Sequence, residues 1–177
     1  MVQLFNLKFW LYLWRLGVGF RHIFKPQNVT SNFMRTNNAK RHDDQIERDV
    51  EKSISKFSQH LMSNSKWIKL VDKFVQNTDK ILKIEFKKVQ NDKIGELYLD
   101  EDTTFGFDYW KNGFEGCNSI GGWLTFKEIE FIIFPKIIDS NKNITQDLNE
   151  IEKLINSVGK FSLEINNNSL KLNCYKE

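Results

Sequence analysis

The run WLTFKEIEFIIFPKII, residues 123–138, contains the most apolar strand of the chain, and its reading decides the fold. Five isoleucines, three phenylalanines and a tryptophan within sixteen positions are the residues that a pleated, buried surface selects, so the run is placed at the centre of a sheet. Upstream, Leu82, Ile84 and Phe86 alternate with Lys83, Glu85 and Lys87, the period of a half-buried strand. A turn at Gln90, Asn91 and Asp92 leads to residues 94–99, the expected antiparallel partner. Downstream, Leu148, Ile151, Leu154, Ile155 and Val158 recur at helical steps, with Thr145 expected as the cap and Gly159 as the stop. A final hairpin, residues 161–165 and 170–175, turns on Asn166, Asn167 and Asn168, which tolerate the left-handed conformation.

Two helices precede this sheet. Ile46, Val50, Ile54, Phe57 and Leu61 form one apolar stripe, and Trp67, Leu70, Val71, Phe74 and Val75 form a second after Ser63, Asn64 and Ser65, which interrupt the chain and supply a cap. The order α-α-β-β-loop-β-α-β-β predicts an α+β domain over residues 43–177: a mainly antiparallel sheet of about five strands with helices packed on one face, preceded by an N-terminal amphipathic helix.

Charge divides the chain differently. Residues 1–42 hold seven basic residues and no acidic one, leaving 19 basic and 23 acidic residues for 43–177. The folded part is therefore mildly acidic, which argues against nucleic acid as its partner. Cys117 and Cys174 are too few for a disulfide framework and lack metal-ligand spacing, so two free thiols in a reducing, cytoplasmic compartment are expected. Abundant Lys, Asn and Ile suit an AT-rich bacterial genome.

The segment Leu61-Met62-Ser63-Asn64-Ser65-Lys66-Trp67, the run from Phe126 to Pro135 and Gly159-Lys160-Phe161 together resemble an uncharacterised bacterial family, domain of unknown function 6678. The resemblance covers residues 45–176, with Ser65 where threonine is usual and Phe131 where tryptophan is usual. It implies a domain boundary and supplies no mechanism.

Residues 1–26 read as an apolar, basic, amphipathic segment and 27–42 as a flexible, Asn-rich linker. In a helix, Lys8, Tyr12, Arg15, Gly19 and His22 share a narrow polar stripe, while Phe9, Trp10, Leu13 and Trp14 belong to a broad apolar face. Lys8 and Arg15 interrupt every window long enough to span a bilayer. Three readings stay open: an anchor at the inner face of a membrane through residues 3–24, translation from an upstream start, and a helix packed on its own domain.

Candidate chemistry is sparse. Glu128 and Glu130, if they share one strand face, would hold their carboxylates about 7 Å apart, a separation used by paired-carboxylate hydrolases; a solvated face is the simpler reading. Asp100, Glu101, Asp102 and Asp108 lack calcium-loop spacing. Asp100, Asp102 and Asp108, followed by Tyr109, Trp110 and Trp123 in a Gly-rich stretch, suit a surface that recognises another protein, although packing of the same rings into the core explains them equally. His22, His42 and His60 are too scattered for a triad, and no phosphate loop, dinucleotide fingerprint or zinc spacing occurs, so no cofactor is expected. The function predicted is a non-enzymatic protein-binding module of immunity or accessory type, with a paired-carboxylate hydrolase or a peripheral membrane protein as alternatives.

Overall fold

The computed structural model describes residues 37–103, 109–110 and 112–177. Within them, Asn37–Glu177 forms one compact unit. The amphipathic segment, with Phe9, Trp10, Leu13, Trp14 and Arg15, lies outside the described residues, as does Asp108. Among the described residues no helix is long and apolar enough to cross a membrane.

In chain order the elements are α1 (Asn37–Ile54), β1 (Gln59–His60), α2 (Asn64–Val75), β2 (Ile84–Lys88), β3 (Ile94–Leu97), β4 (Tyr109–Trp110), β5 (Gly113–Glu115), β6 (Trp123–Thr125), a 3-10 turn (Phe126–Glu128), β7 (Ile129–Pro135), β8 (Ile137–Asp139), β9 (Ile144–Thr145), α3 (Leu148–Val158), β10 (Ser162–Ile165), β11 (Ser169–Asn173) and β12 (Tyr175–Lys176). The fold is α+β. Its main sheet is antiparallel with strand order β10-β11-β7-β2-β3, so β7, the middle of the apolar run 123–138, is the central strand.

Register explains which residues form the core. Leu163, Leu172, Ile132, Phe86 and Gly95 lie in one row across the five strands, and Ile165, Leu170, Phe134, Ile84 and Leu97 in the next. Both rows point to the same face, because directly opposite residues on paired strands do and the two rows are two residues apart along every strand. Trp67, Leu70, Val71 and Phe74 of α2 and Ile151 and Ile155 of α3 cover that face. Phe74 meets Phe134 edge-on with centroids 5.4 Å apart. Gly95 is where the inner face has no room: a Cβ there would stand 2.6 Å from Cζ of Phe86.

The opposite face carries Glu164, Lys171, Ile133, Glu85 and Glu96 in one row and Ser162, Asn173, Phe131, Lys87 and Ile94 in another. Its charges pair locally, Lys83 with Glu85 along the strand at 2.9 Å and with Glu96 across it at 3.9 Å, and Lys87 with Asp92 of the following turn at 3.1 Å. Lys171 lies over the Phe131 ring, 4.5 Å from its centroid.

Several boundaries differ from the sequence reading. Helix α1 starts at Asn37, inside the stretch read as linker, and ends at Ile54; Phe57 follows in a turn, and His60, expected on a helix, pairs with Tyr175 in a short strand and stacks on its ring at 4.5 Å. Asp147 caps α3 by accepting from the N–H groups of Asn149 and Glu150, whereas Thr145 belongs to β9. The last hairpin turns without left-handed asparagine: Asn166 Oδ1 accepts from the N–H groups of Asn168 and Ser169, and Asn143 is the only non-glycine residue with positive φ among the described residues.

A buried amide ties the layers. Gln146 accepts from the N–H groups of Leu82 and Lys83 through Oε1 and donates through Nε2 to the carbonyls of Lys83 and Pro135. It thereby fastens the approach to β2 onto the end of β7.

Candidate functional site

The Gly-rich stretch after β3 is a three-stranded antiparallel meander, β4-β5-β6. Phe114 pairs with Leu124 and Glu115 with Trp123, so alternation sends one pair inward and the other outward. Phe114 is fully buried, edge-on to Phe126 at 5.2 Å and to Trp67 at 6.4 Å, while Trp67 stacks on Phe126. Trp123 stays 42% exposed. A buried ring and an exposed one are thus divided within one ladder. Gly116, Gly121 and Gly122 adopt positive φ around the β5–β6 connection, a conformation costly to any other residue.

Asp100 and Asp102 sit in a closed turn. Asp100 Oδ1 accepts from the Asp102 N–H and the Thr103 hydroxyl, and Thr103 Oγ1 accepts from the Asp100 N–H. Both acids are exposed, and with Tyr98, Glu115 and Cys117 they border a shallow depression of about 440 Å3. Tyr98 and Asp100 also border a second depression of about 230 Å3, with Leu82 and Glu96. Tyr98 is the ridge between the two and is 53% exposed; Leu82 is 48% exposed.

This surface gathers Asp100, Asp102 and, through the Glu115 pair, Trp123. Tyr109 and Trp110 are placed on β4 by their backbones, opposite Phe114 and Gly113. The sequence reading passed over Tyr98 and placed Leu82 on the apolar strand face with Ile84 and Phe86, whereas it is half-exposed ahead of the strand. The signal for Tyr98 was available, since Leu97 and Leu99 flank it and a ring on the polar side of an alternating strand is a candidate contact residue.

The paired carboxylates are a correction. Residues 123–138 are not one strand, and Glu128 closes the 3-10 turn that separates β6 from β7. Glu128 is buried: Oε2 accepts from the Thr125 N–H and hydroxyl, each at 2.8 Å, and Oε1 from Lys88 at 2.7 Å and Gln90 at 2.8 Å. Burial alone would raise its pKa, but the hydrogen bonds from Lys88 and Thr125, with the Lys88 charge, bring it below the ordinary carboxylate value. Glu130 is the extra residue of a bulge, where Lys87 opposes Phe131 and Lys88 opposes Ile129. Its carboxylate pairs with Lys87 at 2.7 Å. Each glutamate therefore serves its own lysine. A general acid needs a raised pKa and a path to substrate, and Glu128 has a lowered one behind four donors.

A groove of about 560 Å3 bordered by Glu130 runs between the Phe57–Leu61 region and the charged sheet face. Glu130, Glu164, Lys171 and Asn173 line it, and Lys171 stands 3.9 Å from Glu164. Among the described residues no cluster of His, Cys, Asp and Glu could hold a metal ion. Cys174 is buried, and burial raises its thiol pKa well above the ordinary value, keeping it protonated. Comparison of the chain with family models, curated proteins and solved structures finds no match.

Proposed function

We propose that residues 37–177 form a protein-binding module of immunity or accessory type that docks a basic partner on the face built from Tyr98, Asp100, Asp102, Glu115 and Trp123. The observation that carries this reading is Tyr98, a ring 53% exposed between two depressions bordered by acids. Tyr and Trp dominate binding hot spots because they bury much area at little entropic cost. The surrounding carboxylates would steer a basic partner and set its orientation. The meander suits such a role mechanically: Phe114 anchors it in the core, so Trp123 is presented from a fixed base.

The test uses the full chain as bait in its native extract, with captured proteins identified by mass spectrometry. A basic partner in near-equal amount, weakened by salt and lost with Tyr98→Ala and Trp123→Ala, is the expected result. Retention of every captured protein by the double variant would overturn the assignment of this face.

A further inference from the structure

The main sheet has two edges that are treated differently. Outside β3, the Tyr98 N–H donates to the Cys117 carbonyl at 3.0 Å, the Ser119 N–H donates to Glu96 O at 2.9 Å, and the Glu96 N–H donates to Ser119 Oγ at 2.8 Å. That edge is covered by the chain's own loop. The other edge is β10. Its hairpin is closed by the Asn166 N–H on Ser169 O, which fixes the direction of every main-chain group along the strand. Ser162 and Glu164 aim theirs at Asn173 and Lys171 of β11, so Leu163 and Ile165 aim theirs outward. Among the described residues none hydrogen-bonds to the backbone of Leu163 or Ile165.

A row of outward donors and acceptors at strand spacing accepts only another extended chain. The flanking side chains indicate which one. Ser162 and Glu164 lie exposed on the charged face of the sheet and Leu163 on the apolar face; Lys160 and Phe161 precede the strand, Lys160 exposed and Phe161 packed against the core, so the alternation continued back from Ser162 assigns them to the same two faces. Two copies of β10 pairing antiparallel about a two-fold axis must bring outward-facing positions together, which leaves three central registers. Centring on Glu164 sets that carboxylate against itself. Centring on Leu163 sets it against Ser162. Centring on Ser162 sets Lys160 against Glu164 twice and Phe161 against Leu163 twice, so unlike charges and apolar groups meet on their respective faces.

We propose that β10 is a self-association edge through which two copies of this chain pair antiparallel about Ser162, joining their sheets into one. Lys160 and Glu164 choose the register, and Leu163 and Ile165 supply the hydrogen bonds. Glu164 is already oriented on that face by Asn173, whose Nδ2 donates to it at 2.6 Å. A joint this short buries less than the about 1,200 Å2 at which stable interfaces begin, so the dimer depends on concentration.

Sedimentation velocity of the full chain over a concentration series, at low ionic strength, tests this with four proteins. Wild type is expected to dimerise as concentration rises. Ile165→Pro removes an outward N–H without touching the bonds to β11, and is expected to stay monomeric. Lys160→Glu places two like-charged pairs across the joint and weakens dimerisation by about tenfold, and the exchange Lys160→Glu with Glu164→Lys restores it. Circular dichroism checks the folding of Ile165→Pro, and if that variant unfolds the charge exchange decides alone. A wild type that remains monomeric up to its solubility limit overturns the proposal. So does a dimer that Lys160→Glu leaves unchanged, which would locate the association elsewhere in the chain.

Discussion

Phe114→Ala is the substitution that most directly separates the inward side of the meander from its outward side. The ring is fully buried and makes edge-on contacts with Phe126 at 5.2 Å and Trp67 at 6.4 Å. Loss of transfer energy and the cavity left behind together cost ~3–5 kcal/mol for a buried phenylalanine. Each aromatic contact contributes ~0.5–1.5 kcal/mol beyond area, so the upper part of that range applies here. The cost falls on the whole domain, since Trp67 and Phe126 belong to the same core cluster as the sheet. Trp123→Ala, on the outward side of the same ladder, removes a half-solvated ring and is expected to cost under ~1 kcal/mol. Urea unfolding followed by far-ultraviolet circular dichroism measures both, with an unchanged slope showing that the comparison is of native stability. A loss below ~1.5 kcal/mol for Phe114→Ala would refute the reasoning, because the meander would then open without the core.

Two further outcomes follow from buried polar groups. Gln146→Leu leaves the N–H groups of Leu82 and Lys83 and the carbonyls of Lys83 and Pro135 without their partner; with water reaching part of the site, the expected loss is ~3 kcal/mol by denaturant unfolding, and a loss under ~1 kcal/mol would mean that water replaces the amide. Glu128, whose pKa is lowered in the folded state, stabilises the domain fully above its ordinary value near 4.5, and that contribution drains as pH falls through the folded value. Wild type is therefore expected to exceed Glu128→Gln in stability at neutral pH and to converge with it in acid; a gap independent of pH would contradict the ion pair.

The parts of the fold that were legible in the sequence were those with a period. Ile84 and Phe86 alternate with Glu85 and Lys87, and the strand follows; Leu148, Ile151 and Ile155 repeat at helical steps, and α3 follows. Periodicity misled where two structures share it. Ile46, Val50, Ile54, Phe57 and Leu61 keep steps of three and four although the helix ends at Ile54: Phe57 packs against the core from the turn that follows, whereas Leu61, past a short strand, lines the groove beside the charged sheet face. The break inside residues 123–138 did leave a sign: Thr125 and Glu128 have the spacing of a capping box, and the apolar residues around them hid it. Of the acidic surface, Asp100, Asp102 and Trp123 were legible from composition, whereas their nearness to Tyr98 depends on the β3 and meander pairings, which no local pattern encodes. Gln146 left no trace, since its four partners are main-chain groups distant in sequence.

Gly95 carries a consequence for how such a domain can change over time. The space its side chain would occupy is filled by the end of the Phe86 ring, with Cζ at 2.6 Å and Cε1 at 2.7 Å, and Phe86 has no exposed surface through which to swing away. Any larger residue at 95 therefore requires a smaller one at 86, and a smaller residue at 86 alone leaves a void beside a glycine that cannot fill it. The two positions share a single allotment of volume. In descendants of this sequence they are expected to drift as a pair, each accepted substitution at one recorded by its complement at the other.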